Sequence, residues 1–247
     1  MNIPEIKIED LLESGVHFGH NVRRWNPKMK QYIYGVRNNI HIFDLRITVD
    51  LLNTALVKIH ETVSKSGKIL FVGTKKQCEE TVKELAGINN NFYVNKRWLG
   101  GTLTNWKTIS NSIKRLDEIE TFLNDNNSSK NLSKKELLDI SREKDKLDLN
   151  IGGIRKLSGK PDLLIIFDVL KDKIAVLEAK KLNIPVVGIV DSNADPDLVD
   201  YVIPGNDDAL RSINLYKNYF IDTIKDAADF QSKEDENSDK DEEPLSN

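Results

Sequence analysis

The stretch from Val94 to Trp106, VNKRWLGGTLTNW, holds side chains that bind phosphate groups and bases. Lys96 and Arg97 are cations, Trp98 offers a ring for stacking, and the stretch contains no carboxylate. A pair of glycines in its middle lets the backbone approach a bound molecule closely. The composition indicates contact with a phosphate backbone, and the alternative is a hinge whose glycines turn the chain while its tryptophans pack.

A second basic stretch runs from His17 to Arg46 and carries six Lys or Arg residues against the single carboxylate of Asp44. Trp25 lies among them. The formal net charge of −3 hides this pattern, because residues 229–247 carry eight acidic side chains and two lysines. That segment contributes −6, so the rest of the chain carries +3. Two basic stretches with aromatic residues are typical of a protein that binds a polyanion.

Carboxylates at predicted strand ends offer a different chemistry. Asp168 and Asp191 each follow an apolar run, and His17 and His20 could approach them if the N-terminal segment covers that edge. A divalent ion held by His20, Asp191 and Asp207 is the lesser alternative, because Asp in such loops is more often turn and cap chemistry. Asp207 itself is suited to open the last helix. We therefore expect no cofactor.

A phosphate-binding enzyme is the second functional hypothesis. Gly73 and Thr74 lie between a predicted strand and helix, where free backbone N–H groups and Lys75 could hold a phosphate, with Asp191 as a further polar group. The sequence has neither GxGxxG nor GxxxxGK(S/T), so this signal is weak. Cys78 is the single cysteine, which excludes disulfides within the chain, and the pattern around it is that of an ordinary helix thiol.

These residues are positioned by a predicted alternation of strands and helices. The predicted strands are apolar throughout, which indicates a parallel sheet covered by helices on both faces. Two further short runs, Tyr32–Tyr34 and Ile40–Phe43, predict a β-hairpin that follows an exposed basic loop. The strands are predicted at Lys68–Val72, Phe92–Val94, Leu163–Phe167, Ile184–Val190 and Tyr201–Ile203, and the helices at 5–14, Ile47–Lys65, Lys75–Ala86, Lys173–Leu182 and Asp207–Ile224.

An inserted helical hairpin is predicted at residues 105–151. Apolar residues recur at helical spacing on both sides of a polar turn, and Ser133 with Glu136 forms a capping box for the second helix. A charged helical face is by default a solvated one, with a dedicated contact surface as the alternative. The globular domain is predicted at 1–104 and 152–228, with 1–45 as an N-terminal extension and hairpin. The acidic tail, 229–247, is predicted to be disordered.

The N-terminal residues, MNIPEIKIEDLL, lack the apolar core of a signal peptide. No apolar run in the chain is long enough to span a membrane. We therefore expect a protein of the cytoplasm.

Long motifs in a fixed order carry a family resemblance. They are GVHFGH (15–20), RRWNPKMKQYIYGVRNNIHIFDL (23–45), ILFVGTKK (69–76), VNKRWLGGTLTNWKT (94–108), GGI (152–154), PDLLIIFD (161–168), IPVVGIVDSNADPD (184–197) and VIPGNDDALRSI (202–213). The chain resembles the bacterial form of ribosomal protein S2 of the small subunit, from about Ile8 to Ile224. The tail and the tip of the helical hairpin lie outside the resemblance.

The resemblance implies a Rossmann-like, flavodoxin-like three-layer α/β/α domain with a parallel sheet and an inserted α-helical coiled-coil hairpin. It implies a structural constituent of the small ribosomal subunit without enzymatic activity, which supports subunit assembly and translation. The implied partners are small-subunit ribosomal RNA and other ribosomal proteins, including ribosomal protein S1, with no membrane and no small-molecule substrate. The implied compartment is a bacterial cytoplasm, with an organelle-encoded ribosome as the alternative.

The resemblance and the side-chain chemistry together predict a set of RNA-facing residues. Arg and Lys supply phosphate contacts, Trp stacks on bases, and Asn and Thr donate to phosphate or ribose oxygens. The predicted residues are Arg23, Arg24, Trp25, Asn26, Lys28, Lys30, Arg37, Lys96, Arg97, Trp98, Thr102, Thr104, Asn105 and Lys107.

Overall fold

The computed structural model describes residues 3–125 and 133–241, and it begins with a helix and a small antiparallel sheet. These elements are α1 (Ile8–Glu13), β1 (Phe18–Asn21), β2 (Ile33–Arg37) and β3 (Ile40–Phe43), and β3 lies between the other two strands. The predicted hairpin of β2 and β3 is confirmed. Asn38 and Asn39 make its turn with φ values of 51° and 60°, a left-handed conformation that asparagine tolerates.

The prediction of an exposed loop before this hairpin is wrong for residues 18–21, which form β1. Phe18 and Asn21 pair with Ile42 and Ile40 of β3, with a shift of register between them. The sequence FGHN has no alternation of polar and apolar residues, so its strand conformation depends on its partner in β3 rather than on a local pattern.

Five parallel strands form the central sheet. They are β4 (Ile69–Val72), β5 (Phe92–Val94), β6 (Leu163–Ile166), β7 (Val186–Val190) and β8 (Tyr201–Pro204). Their order across the sheet is β5-β4-β6-β7-β8, and every pairing is parallel. Counted in chain order this is 2-1-3-4-5, the order of flavodoxin-like doubly wound sheets, so the predicted fold class is confirmed.

Helices cover both faces of the sheet. On one face, Ile69 and Phe71 pack in a core with α2 (Leu45–Ser64), α3 (Glu79–Gly87) and α7 (Leu210–Asp241). On the other, Leu70 and Val72 pack with α6 (Lys173–Lys181) and the start of α4 (Trp106–Asn124). Every residue of β4, β6 and β7 is buried, which is why these strands show no polar alternation in the sequence.

Helices α4 and α5 (Lys134–Ile151) pack side by side within the segment predicted as an inserted hairpin. Leu116 of α4 is fully buried. The capping box of Ser133 and Glu136 is present at the start of α5. A 3-10 helix, Gly152–Ile154, follows α5 and lies against β5. The predicted polar turn between the two helices falls mostly at 126–132, outside the described residues.

Helix α7 begins three residues later than predicted. Asn206, rather than Asp207, supplies the side-chain acceptor before it, because Asn206 Oδ1 accepts hydrogen bonds from Asp208 N at 2.8 Å and Ala209 N at 2.9 Å. Asp207 is 1% exposed and points into the protein. The prediction of Asp207 as the cap was therefore wrong.

Helix α7 also runs farther than predicted, to Asp241, into the segment for which disorder was predicted. No glycine or proline interrupts the sequence between Leu210 and Asp241. A hydrogen bond of 2.5 Å from Gln231 Nε2 to Ser66 Oγ ties the helix to the residues after α2. Residues 242–247 lie outside the described part. Among the described residues, no helix is long and apolar enough to cross a membrane.

Candidate nucleic-acid interface

The N-terminal basic stretch lies on the surface as two short 3-10 helices between β1 and β2. Arg23 and Arg24 line a surface cleft together with Asn39. Guanidinium and amide groups side by side suit a phosphate, because both donate hydrogen bonds and the first also carries charge. Within the part of the chain that the structure describes, four exposed cations here form no salt bridge: Arg23, Arg24, Lys30 and Arg37.

This basic stretch is fastened to the loop that follows β7. His20 N donates to Asp191 Oδ1 at 3.1 Å and to Ser192 Oγ at 2.8 Å, and Asn26 N donates to Ser192 O at 2.7 Å. A Cβ atom on Gly19 would lie 2.9 Å from Ser192 Oγ, so the close approach requires glycine. The core strand β7 therefore sets where the arginines lie.

Three of the predicted RNA contacts in this stretch are partly taken up by protein groups. Asn26 Oδ1 accepts a hydrogen bond from Lys28 N at 3.1 Å. The Lys28 ammonium lies 2.8 Å from the Asp195 carboxylate and 2.7 Å from that of Asp197, so its charge is neutralised within the protein. The Trp25 ring lies 5.2 Å from the ring of His41, measured between centroids, and keeps 37% of its surface exposed. Lys28 thus serves to fasten the stretch, while Trp25 stays accessible at the surface.

The second basic stretch folds around the carboxylate of Glu178, which comes from α6. Trp98 Nε1 and Gly101 N donate to Glu178 Oε1 at 3.1 Å and 2.7 Å. Leu103 N, Thr104 N and Thr104 Oγ1 donate to Oε2 at 2.9, 3.0 and 3.1 Å. Five donors therefore converge on one side chain, which we call the Glu178 clamp.

Three of the predicted RNA contacts in this stretch are engaged within the protein, two of them by the clamp. Trp98 is 7% exposed, so its ring packs in the core and cannot stack on a base. Thr102 is 3% exposed, and its hydroxyl donates to Leu99 O at 2.5 Å. The Thr104 hydroxyl is bound by Glu178. The sequence prediction assigned these groups to RNA, whereas the structure gives them protein partners: Glu178 for Trp98 and Thr104, and the carbonyl of Leu99 for Thr102.

Glu178 is a carboxylate at neutral pH. Burial raises the pKa of its carboxyl, but hydrogen bonds from Thr104 N, the Trp98 indole and Gly101 N outweigh burial and hold the pKa below its ordinary value. A charged acceptor strengthens each of these hydrogen bonds.

Five predicted residues around the clamp stay exposed: Lys96, Arg97, Thr104, Asn105 and Lys107. Lys96 pairs with the carboxylate of Glu79. Arg97 and Lys107 form no salt bridge with the described side chains. The stretch is therefore both a turn into the hairpin and a basic surface, with Arg97 and Lys107 as its free charges.

The carboxyl ends of β4, β6 and β8 meet around the ammonium group of Lys75. Its Nζ lies 2.8 Å from carboxylate oxygens of Asp168, Asp207 and Asp208. His20 reaches the same place from β1, with Nδ1 3.0 Å from Asp191 and Nε2 3.3 Å from Asp208. We call these side chains the strand-end cluster: His20, Lys75, Asp168, Asp191, Asp207 and Asp208.

Three groups of the strand-end cluster have pKa values above their ordinary ones. Burial, together with the charges of Asp191 and Asp168, raises the pKa of the Asp207 carboxyl to about 8. Burial lowers the pKa of Lys75, but the carboxylates around it outweigh burial and raise the pKa above its ordinary value. The hydrogen bond to Asp191 raises the pKa of His20. Lys75 therefore supplies the cluster with a positive charge from the chain itself.

This arrangement contradicts the phosphate-binding hypothesis for Gly73, Thr74 and Lys75. Thr74 donates from N and Oγ1 to Asp172 at 3.2 and 2.7 Å, and the Lys75 charge is enclosed by carboxylates that repel an anion. A Cβ atom on Gly73 would lie 2.8 Å from Cys78 Cβ, so Gly73 serves close packing. Burial raises the pKa of the Cys78 thiol to about 12, so Cys78 is not a reactive thiolate.

The predicted metal ligands are brought together. His20, Asp191 and Asp207 each offer a ligand atom, and these atoms lie within 4.8 Å of one another. A divalent ion there must displace the proton that Asp207 binds, and it must compete with the ammonium of Lys75. The divalent ion stays a prediction.

An apolar groove that the sequence did not predict runs along the small antiparallel sheet. Phe18, Tyr34 and Val36 are 45%, 75% and 57% exposed, and Leu12 and Ile42 help to line the groove. The alternation of Tyr34 and Val36 along β2 was the available signal. Clustered exposed apolar surface of this kind is a feature of interaction sites. We call it the β2 groove.

Comparison with known proteins gives concordant matches. A family model described as ribosomal protein S2 matches residues 11–227. The chain is 53% identical over 226 residues to small ribosomal subunit protein uS2 of Maricaulis maris, covering 92% of this chain and 78% of that protein. It is 56% identical over 216 residues to the protein of the same name from Rhizobium rhizogenes, covering 87% and 84%. For that of Rickettsia rickettsii the identity is 54% over 220 residues, covering 89% and 75%.

Proposed function

Because the chain belongs to the ribosomal protein S2 family, we propose that its unpaired surface cations bind the RNA of the small ribosomal subunit. The protein is a structural, non-enzymatic constituent of that subunit and supports subunit assembly and translation. It associates there with ribosomal RNA and with other ribosomal proteins. The proposal concerns which residues make the RNA contacts.

The observation that carries the proposal is the division of the basic residues into paired and unpaired ones. Lys28 and Lys96 are neutralised by carboxylates of the protein, whereas Arg23, Arg24 and Arg97 are exposed and unpaired among the described side chains. An unpaired cation on a rigid segment gains most from a phosphate, because it has no carboxylate to give up. The RNA-facing residues we propose are Arg23, Arg24, Trp25, Asn26, Lys30, Arg37, Arg97, Asn105 and Lys107.

Replacing Arg23 and Arg24 by alanine should weaken binding to small subunits depleted of this protein. Each phosphate contact contributes about 1 to the slope of log affinity against log salt, so the double variant should lower that slope by about 2. The measurement is rebinding across a salt series. Lys65→Ala with Lys83→Ala, exposed lysines outside both basic stretches, is the matched control. A slope equal to that of the native chain would exclude Arg23 and Arg24 as phosphate contacts.

We also propose that the β2 groove is the docking surface for a neighbouring protein, and that ribosomal protein S1 is that neighbour. The exposure of Phe18, Tyr34 and Val36 on one sheet supports a protein contact there. The hairpin of α4 and α5 is the alternative surface, but the exposed apolar area is concentrated less there, at Leu138 and Leu149.

Tyr34→Ser with Val36→Ser should reduce retention of ribosomal protein S1 on reconstituted subunits by roughly thirtyfold, the effect of losing one aromatic anchor worth about 2 kcal/mol. Both side chains are exposed, so the stability of the chain should change by less than about 0.5 kcal/mol. The matched control is Leu170→Ser with Leu177→Ser, two exposed apolar residues at α6 and just before it. Unchanged retention would exclude the groove as the docking surface.

We propose, finally, that the protein works without a cofactor in the ribosomes of a bacterial cytoplasm. Lys75 supplies the positive charge that the strand-end carboxylates need. A divalent ion at His20, Asp191 and Asp207 is the lesser alternative, and elemental analysis of the dialysed protein checks it. An organelle-encoded ribosome is the alternative compartment.

A further inference from the structure

The Glu178 clamp adds hydrogen bonds between two elements that already share a core, because Trp98 and Leu103 pack in the same apolar cluster as residues of α6. Glu178 lies on α6, whose Ala175 and Ala179 are buried against the sheet core. The residues it binds, from Trp98 to Thr104, lie in the connection from β5 to α4. The clamp therefore fixes this connection to a helix that is itself held by the core.

We propose that Glu178 is a positioning residue for RNA binding, which acts by holding the Trp98–Thr104 loop so that Arg97 and Lys107 face the RNA. This inference rests on the proposed function. Glu178 is 8% exposed, and both of its carboxylate oxygens are occupied by donors of the loop. Arg97 directly precedes the first clamped residue, and Lys107 follows the last by three positions. The clamp thus sets the distance and direction between the two unpaired cations.

The position requires a carboxylate. Three of the five donors are backbone N–H groups, of Gly101, Leu103 and Thr104, at which the chain is neither helix nor strand. Glu178 Oε2 alone accepts three hydrogen bonds, two of them from Thr104. Glutamine has the same shape, but its NH2 group would face either those three donors or the two donors at Oε1. Each such contact sets donor against donor and opens the loop.

The conformation of the Trp98–Thr104 loop also depends on the Glu178 carboxylate. Gly101 has a φ of +90°, which L side chains rarely adopt, and its N–H is held by Glu178 at 2.7 Å. The Trp98 ring is buried with its indole N–H on the same carboxylate. Without the carboxylate, the buried indole and three backbone N–H groups lack an acceptor, so the loop must rearrange to reach water.

A positioning role can be distinguished from a purely stabilising role by the salt dependence of the affinity for the small subunit. Loss of stability lowers the fraction of folded protein, which scales the apparent affinity equally at every salt concentration and leaves the slope unchanged. Loss of a correctly placed cation lowers the slope itself, by about 1 for each phosphate contact.

The test measures rebinding to small subunits depleted of this protein across a potassium chloride series, at a temperature where each variant is folded by circular dichroism. The variants are Arg97→Ala, Glu178→Gln and the two combined. Glu84→Gln, an exposed glutamate on α3 that pairs with Lys217, is the matched control. Hydrogen exchange at Gly101, Leu103 and Thr104 reports whether the loop has opened.

We expect Arg97→Ala to lower the slope by about 1, and Glu178→Gln to lower it by about 1 or more. In the Glu178→Gln background, Arg97→Ala should then have less than half of its effect, because the cation is no longer placed at the phosphate. The Glu84→Gln variant should keep the native slope. Amide exchange in the loop should be at least tenfold faster in Glu178→Gln alone.

Two results separate this inference from the proposed function. If Arg97→Ala leaves the slope unchanged, the second basic stretch does not bind phosphate, and the proposed function fails there. If Arg97→Ala lowers the slope but Glu178→Gln does not, or the two effects add in full, the positioning role is wrong. Should Glu178→Gln not fold, Thr104→Val removes one clamp donor from an exposed residue, and an unchanged slope would overturn the inference.

Discussion

Replacing Lys75 by methionine is expected to lower the free energy of unfolding by about 3–5 kcal/mol, the cost of removing one partner of a buried ion pair. The side chains of Asp168 and Asp207 are 5% and 2% exposed, and the Lys75 ammonium lies 2.8 Å from each. Methionine keeps most of the volume and removes the charge. Two carboxyl groups are then left in a buried site that favours their neutral forms.

Chemical denaturation at pH 7 measures this loss, and Lys76→Met is the matched control, since Lys76 is exposed and adjacent in sequence.

The contribution of Asp207 to the free energy of unfolding of the native chain should decrease as pH rises. A carboxyl whose folded pKa is raised to about 8 stabilises the fold fully below its unfolded pKa, and this contribution declines as pH rises through 8. Without Lys75 the pKa of Asp207 rises further, so the deficit of Lys75→Met should grow with pH. Equal stability of Lys75→Met and native protein at pH 8 would show that the cluster is solvated.

Replacing Gly153 by alanine is expected to cost about 3 kcal/mol of stability, the upper part of the range for an overpacked core. A Cβ atom at this position would lie 2.3 Å from Tyr93 O and 2.8 Å from Tyr93 Cγ and Cδ2. The nearest atom belongs to the backbone of β5, so it cannot swing away as the end of a long side chain would. The 3-10 helix after α5 must therefore move off the sheet edge.

Thermal or chemical unfolding measures the effect of Gly153→Ala. Gly100→Ala is the matched control, because nothing lies within 4 Å of a Cβ atom there and its φ is not positive. Gly100→Ala should leave stability nearly unchanged. If both variants unfold at the same denaturant concentration, β5 and the 3-10 helix can separate at little cost.

The central sheet was predictable because its strands are buried on both faces. Leu163–Ile166 and Val186–Val190 are uninterrupted apolar runs, and no pattern of surface residues competes with that interpretation. The hairpin turn was predictable because Asn38 and Asn39 tolerate left-handed backbone. In each case the residues that determine the element lie within it.

The errors occurred where a residue's partner is distant in sequence. Trp98 was assigned to RNA because Glu178, 80 positions away, gave no local sign of its role. Asp207 was predicted to be a helix cap because aspartate is common at that position. In the structure Asp207 instead pairs with Lys75, 132 positions away, and Asn206 accepts the hydrogen bonds before the helix. Only the topology of the parallel sheet brings such pairs together.

The attachment of the N-terminal basic stretch to the loop after β7 determines when the chain can finish folding during its own synthesis. His20 binds Asp191 and Ser192, 171 and 172 positions later, and the carbonyl of Gly15 meets Asn206 after 191 positions. At about 5–20 residues per second, roughly 10–40 s separate the emergence of the two sides. The arginines leave the exit tunnel first, but their surface is completed only once β7 and β8 have followed, so a chain truncated before β7 keeps these cations and lacks the structure that presents them.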